Sequence, residues 1–375
     1  MKKLCFVVSS SATAMAFLKG PMQTLSKHYA LHLIVNTTDV TTLLAELPLK
    51  GVHVQAIERG INPIKDLNCL ISMVRFLGKQ QFDALHSVSP KAGLIAMLGG
   101  LIANVPLRTH TFTGQVWANK KGIFRLLLKS IDRLIALCAT QVLVDGKSQL
   151  RFLKEHGVIG PAAQVLGKGS ICGVSLTRFA PSAVLREQRR KTLKLEENEW
   201  VFMFLGRLNK DKGVIDLIQA FAQLDQSEKA SSLFLVGHDE DQIKARFQHI
   251  SSKIHFIPFE KKPEELLQAC DNFCLPSYRE GFGLSVIEAS ALEKPIICSD
   301  AYGLADTIIQ GETGLRHRVG DVEHLKDQLS FALNHPKEMH AMGKAGRTYV
   351  EANFSEKRLL EEWESFYKKQ LSYNR

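Results

Sequence analysis

Short apolar runs alternate with longer amphipathic stretches from the first residues onward. Runs at 4–8, 31–35, 52–57, 84–86, 108–111 and 141–144 are too short for buried helices and predict strands. Between them, 17–27 and 67–80 carry apolar residues at helical spacing. The pattern restarts with strands at 200–205, 232–236, 254–256, 272–275 and 295–298, and a helix from 213 to about 224. Strands buried on both faces read as unbroken apolar runs, so this alternation predicts parallel sheets covered by helices. The expected fold is α/β, with two Rossmann-like doubly wound domains whose strand ends face a central cleft, where such folds bind ligands.

The charged stretch 181–198 lacks strong periodicity and is the expected linker. It separates an N-terminal domain, 1–180, from a C-terminal one, 199–354. In the remaining segment, 355–375, Leu359, Leu360, Trp363 and Phe366 stand among charges. They predict an amphipathic helix that packs back toward the N-terminal domain.

The length of 375 residues suits two domains of ordinary size. Seven cysteines lie scattered at 5, 69, 138, 172, 270, 274 and 298, with no CxxC pair and no zinc spacing, and read as reduced thiols. Two lysines precede the first apolar run, as in a signal peptide, but Ser9, Ser10 and Ser11 cut the run short, so it reads as a strand. No stretch of about 18 apolar residues exists, so no membrane span is expected. Charge is placed unevenly: residues 1–180 hold 21 Lys and Arg against 8 Asp and Glu, and the rest hold 27 against 30. A basic half implies an anionic partner: phospholipid, a phosphorylated acceptor or nucleic acid.

Candidate chemistry concentrates in the second half. In Glu280-Gly281-Phe282-Gly283-Leu284-Ser285-Val286-Ile287-Glu288, two glycines give a tight backbone just before a helix. Backbone N–H groups and the macrodipole at a helix start suit a diphosphate. Glu280 can accept hydrogen bonds from sugar hydroxyls, and Glu288, one turn into the helix, is within reach of a ribose diol. Gly206-Arg207-Leu208-Asn209-Lys210-Asp211-Lys212-Gly213 follows the first strand of this half. Arg207 and Lys212 supply fixed positive charge where a leaving diphosphate gathers negative charge. Asp239-Glu240-Asp241 spells a DxD metal motif, but it reads as a solvated acidic turn. Cations and amides already serve the phosphates, so no metal and no cofactor is expected.

Gly-Arg-Leu-x-x-x-Lys-Gly followed by Glu-Gly-Phe-Gly-Leu-x-x-x-Glu resembles the retaining family 4 glycosyltransferases with the GT-B fold, and the resemblance runs the length of the chain. Gly311-Glu-Thr-Gly-Leu315 matches the family's loop after its last strands. Arg59-Gly-Ile-Asn-Pro63, His86-Ser-Val-Ser-Pro-Lys-Ala-Gly93 and Arg108-Thr-His-Thr-Phe-Thr-Gly114 are similar to stretches of bacterial enzymes that extend lipid-linked oligosaccharides for O-antigen, capsule or protein glycans.

The resemblance implies a metal-independent, retaining transfer of a hexose or N-acetylhexosamine. The donor would be a nucleotide sugar, with UDP favoured, and the acceptor a polyprenyl-diphosphate-linked saccharide. Arg207, Lys212 and Glu280 would act at the reacting centre together with His110, which matches the family's histidine near the donor sugar. Gly206, Gly281, Phe282, Gly283 and the amides of Leu284 and Ser285 would line the donor site, with Glu288 at the ribose and Phe259 beside the base. Arg59 and Lys91 are candidates for the acceptor's phosphates. Relatives often carry a Gly-Gly pair in the first loop; here Ser9-Ser10-Ser11 stands instead, and Ser10 is a candidate for positioning the acceptor.

At 119–135, Lys121, Arg125, Lys129 and Arg133 recur every four residues, flanked by Phe124, Leu127, Leu128 and Ile131. Two readings stand for this basic amphipathic helix: a surface that lies on anionic lipid, or a domain helix with a solvated basic side. The first fits a cytoplasmic enzyme held peripherally at the inner membrane. Other functions weighed are a GT-B nucleotide-sugar 2-epimerase, an inactive nucleotide-sugar sensor and a basic nucleic-acid-binding protein. No aromatic-rich RNA motif, zinc finger or helix-turn-helix supports the last, so no nucleic-acid partner is expected.

Overall fold

The computed structural model describes residues 1–58, 60–224 and 230–372. They form two compact units. One comprises residues 1–173 and the C-terminal helix Glu356–Ser372; the other is Val174–Ser355.

The first unit is built on seven parallel strands: β1 (Lys3–Val8), β2 (Ala30–Val35), β3 (Gly51–Val54), β4 (Ala84–Val88), β5 (Leu107–Phe112), β6 (Gln141–Val144) and β7 (Gln164–Val165). Their order is β3-β2-β1-β4-β5-β6-β7. From Leu4 to Val8 every β1 side chain is fully buried, which is why that run is unbroken and apolar. Leu4 pairs with Leu31 on one side and Ala84 on the other. The third run stops at Val54 rather than 57 because its neighbour β2 ends at Val35, whose carbonyl takes the last ladder bond from the Gln55 N–H at 3.1 Å.

The second unit repeats the plan with six parallel strands, β8 (Trp200–Leu205), β9 (Ser231–Val236), β10 (Ile254–Ile257), β11 (Asn272–Leu275), β12 (Ile296–Ser299) and β13 (Gly314–His317), in the order β10-β9-β8-β11-β12-β13. The Gly311–Leu315 loop therefore runs into an edge strand. Gly314 is required there, because a Cβ would lie 2.7 Å from the Ile296 carbonyl oxygen.

The expected linker is corrected. Within 181–198, Ala183–Thr192 is a helix of the second unit, and the units divide at 173 and 174 rather than at 180. The helix buries no residue of its own. It is held by guanidinium groups: Arg186 and Arg190 both pair with the buried Asp271, and Arg186 also donates to the carbonyls of Gln268 and Cys270 at 3.0 and 2.9 Å. Charge pairing of this kind leaves no apolar periodicity to read. The C-terminal helix packs on the first unit, burying Leu359, Trp363, Phe366, Tyr367 and Leu371 among Leu4, Phe6 and Leu31. The Trp363 indole donates to the Ile171 carbonyl at 3.0 Å.

In each sheet the chain reverses its direction of travel at one place, between β1 and β4 and again between β8 and β11. Loops leaving the carboxyl ends of such a strand pair turn opposite ways and open a crevice.

Candidate active site

In the second unit the two motifs singled out in the sequence leave the two strands that flank the reversal. Gly206–Gly213 follows β8, and 276–283 follows β11. They touch closely. Gly213 sits at φ +70°, and a Cβ there would meet the Pro276 carbonyl oxygen at 2.0 Å. The Tyr278 N–H donates to the Asp211 carbonyl at 2.9 Å, and Arg279 pairs with the Asp211 carboxylate at 2.8 Å.

Ion pairs join the loops. The Lys212 ammonium contacts Glu280 Oε1, which also accepts from the Ser277 hydroxyl at 2.8 Å. After Gly281 and Gly283 the helix Leu284–Ala291 begins, with Gly283 as a cap that supplies no side-chain bond. The Leu284 N–H donates to the Phe282 carbonyl and the Val286 N–H to the Gly283 carbonyl, each at 3.0 Å, so the Ser285 N–H is the group at this start left for a ligand or water among the described residues. The Glu280 backbone is fixed from behind: a Cβ on Gly303 would come within 2.1 Å of its carbonyl oxygen.

Glu288 lies one turn into this helix and is partly buried. Burial pushes its carboxyl up to about 7, against the pull of Arg178 and with the added repulsion of Glu264. Ser285 and Leu284 remain half-buried near the helix start, and Phe259, beyond β10, is exposed. Phe282 is partly buried and meets Phe354 edge-on, with ring centroids 5.2 Å apart. Its side chain therefore packs against the core.

The acidic triplet holds protein groups. Asp239 accepts from the N–H groups of Ile243 and Lys244 at 2.7 and 3.0 Å, and Asp241 accepts from the Lys210 N–H at 2.8 Å. Glu240 pairs with Arg207 at 3.0 Å and accepts from the Asn209 amide at 2.7 Å. No group of three or more His, Cys, Asp or Glu among the described residues is arranged to hold a metal ion.

In the first unit, Ser10 caps the helical stretch that follows β1, accepting from the Thr13 N–H at 3.4 Å. That stretch contains a π-helical turn, Ala14–Leu18. Lys91, in the first turn of the helix Pro90–Ile102, pairs with Asp66. Ser89 caps this helix at φ +79°, a left-handed conformation costly for a residue with a Cβ, and its hydroxyl lies 3.4 Å from that of Ser9. Ser9, Ser89 and Lys91 thus gather beside the β1–β4 reversal. His110 is fully buried, with Nδ1 at 2.8 Å from the Ser87 hydroxyl and Nε2 without a partner among the described residues. Burial lowers it to about 3, so the ring is neutral at ordinary pH. Its ring lies so close to Gly93 that a Cβ there would come within 2.4 Å. Arg59 lies outside the described residues.

The basic helix, Gly122–Cys138, departs from the reading that gives it a solvated basic side and a buried apolar one. Arg125 and Lys129 fold back over the buried Trp117 ring, at 5.7 and 5.8 Å, and Arg133 donates to the Gly157 carbonyl at 2.7 Å. The exposed surface carries an apolar row beside the exposed Arg133: Ile123, Leu127, Leu134 and Leu137 repeat at helical spacing, and Ile123 and Leu137 are more than four-fifths exposed. No helix among the described residues is long and apolar enough to cross a membrane.

Sequence reasoning missed the partners Ser277, Glu240, Asn209 and the Asp211–Arg279 pair. They stand 31 to 68 positions from the groups they hold, apart from Ser277. No local signal in the sequence marks them, because these contacts form only once β8, β9 and β11 are neighbours.

Comparison with known proteins gives a consistent result. Residues 186–349 match the model of the family described as glycosyl transferases group 1. The capsular polysaccharide biosynthesis glycosyltransferase CapM of Staphylococcus aureus is 30% identical over 325 residues, 84% of either chain. The UDP-Gal:alpha-D-GlcNAc-diphosphoundecaprenol alpha-1,3-galactosyltransferase of Escherichia coli is 24% identical, covering 88% of this chain and 86% of its own. Among solved structures, sucrose-phosphate synthase from Thermosynechococcus elongatus superposes with a TM-score of 0.81 at 19% identity over the whole of both chains, a likeness of fold. The pair of parallel Rossmann-like units is the GT-B architecture.

Proposed function

The chain belongs to the group 1 glycosyltransferases, and on that premise we propose that it moves a hexose or N-acetylhexosamine from a UDP-linked donor to a polyprenyl-diphosphate-linked saccharide, with retention at the anomeric carbon, in the building of a bacterial surface polysaccharide or glycan. The observation that carries this reading is the convergence at the β8–β11 reversal of the loop bearing Arg207 and Lys212 with the loop bearing Glu280, joined by the Lys212–Glu280 ion pair just before the helix Leu284–Ala291.

In this reading the donor diphosphate lies at the start of the helix, where the Ser285 N–H and the helix dipole meet it. Arg207 and Lys212 offset the charge that grows on it as the bond from the anomeric carbon to phosphate oxygen breaks. An acceptor hydroxyl oxygen bonds to that carbon on the same face, and its proton passes to the departing phosphate. Glu280 holds donor-sugar hydroxyls, Glu288 the ribose diol, and Phe259 covers the base. The cations already present supply the charge a metal would bring, so transfer proceeds without one. His110 enters through Nε2. Ser10, Lys91 and Arg59 serve the acceptor, with Lys91 exchanging Asp66 for phosphate.

The protein docks peripherally on the cytoplasmic face of the inner membrane. Lys121, Arg125, Lys129 and Arg133 supply positive charge, and Ile123, Leu127, Leu134 and Leu137 supply apolar area. The test is a thermal-shift screen against UDP-, GDP-, ADP- and TDP-sugars with and without magnesium, followed by NMR of the product's anomeric coupling. Stabilisation by the UDP series alone, unchanged by magnesium, and a retained anomer are expected. Silence from every nucleotide sugar would remove the donor-site assignment.

A further inference from the structure

The turn that follows β9 is bound to the loop that follows β8 by main chain as well as by side chains. The Leu208 N–H donates to the His238 carbonyl at 2.8 Å, and the Glu240 N–H donates back to the Leu208 carbonyl at 3.1 Å. Gly237, at φ +141°, lies against Gly206 so closely that a Cβ would fall 1.9 Å from the Gly206 carbonyl oxygen. Asp241 accepts from the Lys210 N–H at 2.8 Å. The two turns are therefore one rigid piece, and Glu240 is the residue of it that reaches Arg207.

The manner of that contact is informative. Both Glu240 oxygens engage a single guanidinium nitrogen, Nη1 of Arg207, at 3.1 and 3.0 Å. The same carboxylate takes the Asn209 amide at 2.7 Å, and Asn209 Oδ1 in turn accepts from the Lys212 N–H at 3.1 Å. Nε and Nη2 of Arg207 have no hydrogen-bond partner among the described residues, and the side chain is half-exposed. Those two nitrogens form the parallel fork that matches two oxygens of one phosphate. A carboxylate that merely neutralised Arg207 would take the fork itself; this one leaves it open. Burial works to raise the Glu240 carboxyl, but hydrogen bonds from Asn209 and Arg207 and the latter's charge hold it below its usual range, so it is ionised at neutral pH.

We propose that Glu240 is a positioning residue: it grips Nη1 of Arg207 and the Asn209 amide so that the Nε–Nη2 fork is presented, already oriented, to a phosphate of the nucleotide donor. This rests on the assignment of Arg207 to the donor diphosphate. Preorganisation of the fork removes most of the rotamer entropy that a free arginine loses on binding. The role of the acidic triplet is then to build the anion site from behind, with its charge spent on protein donors.

The experiment compares E240A, E240Q, R207A and E240A/R207A in the intact protein. It measures the donor KM and kcat, and the affinity for UDP and for uridine (or the guanosine pair if the screen selects GDP). E240A is expected to raise the donor KM and weaken UDP about tenfold, with kcat within about twofold and uridine affinity unchanged. E240Q keeps an oxygen for Nη1 and is expected to recover most of that loss. In the R207A background, removing Glu240 is expected to have no further effect, which a loss of loop structure would not reproduce. Tighter UDP binding in E240A would show a competitor instead and overturn the proposal, as would an equal E240A effect with and without Arg207. If R207A itself leaves UDP affinity unchanged, the donor-site reading falls and takes this one with it.

Discussion

Glu288 is a carboxylate held where its charge is unwelcome, and the effect of relieving it can be worked out. Burial moves it from 4.5 to about 7, and the nearby Arg178 offers limited help because its guanidinium pairs with Glu264 at 2.7 Å. Between those two pH values the folded protein binds the proton more tightly than the unfolded chain does. Stability therefore falls as pH rises through the window; the penalty is absent below 4.5 and complete above 7. A displacement of that size corresponds to about 3 kcal/mol, and the partial solvent access of Glu288 reduces it to about 1–3 kcal/mol. Glu288→Gln keeps the shape and removes the charge. Thermal unfolding should show the variant about 3–8 °C more stable than the parent at pH 8 and no more stable at pH 4.5. UDP-sugar affinity at pH 8 should fall about tenfold, since a neutral amide is a poorer acceptor for two ribose hydroxyls. An advantage of equal size at both pH values would refute the reasoning, because ionisation would then have no part in it.

Three further outcomes follow from the same geometry. Lys212→Ala should lower kcat about 10²–10³-fold while the melting temperature moves by only a few degrees, because Glu280 keeps its Ser277 bond; unchanged turnover would remove the phosphate-site assignment. Gly303→Ala should destabilise the second unit by about 2–4 kcal/mol or displace the Glu280 loop and raise the donor KM, since its methyl would lie 2.1 Å from the Glu280 carbonyl oxygen; a stable variant with normal KM would contradict the packing described. Leu127→Glu with Leu134→Glu should abolish sedimentation with anionic vesicles while sparing transfer to a short water-soluble acceptor. Charge reversal at Arg125 and Lys129 should weaken it less, because those cations rest on Trp117; undiminished binding by the leucine variant would discard this face as the membrane contact.

The central strands were legible because they are buried on both faces and so read as unbroken apolar runs, as in Leu4–Val8 and Trp200–Leu205. β7 was missed because two residues carry no pattern, and β13 because its first residues, Gly314 and Leu315, were read as part of a loop. The helix Ala183–Thr192 passed for a linker because arginines, not an apolar stripe, hold it down. The helix Pro90–Ile102, covered on several sides, has no polar face to mark its period.

The same division runs through the candidate site. Arg207, Lys212, Glu280, the Gly281–Gly283 turn and Glu288 could be chosen from the sequence because the chemistry of binding a diphosphate dictates residue types at short spacing. Lys212 beside Glu280, Glu240 behind Arg207 and the neutral, buried state of His110 could not, because each depends on which strands become neighbours and on what is excluded from water around them. Local periodicity and spacing carried most of the elements and the chemical inventory. The tertiary structure alone decided which charges meet, which fork of Arg207 stays free and which face of Gly122–Cys138 is left to solvent, because those follow from contacts between residues tens of positions apart.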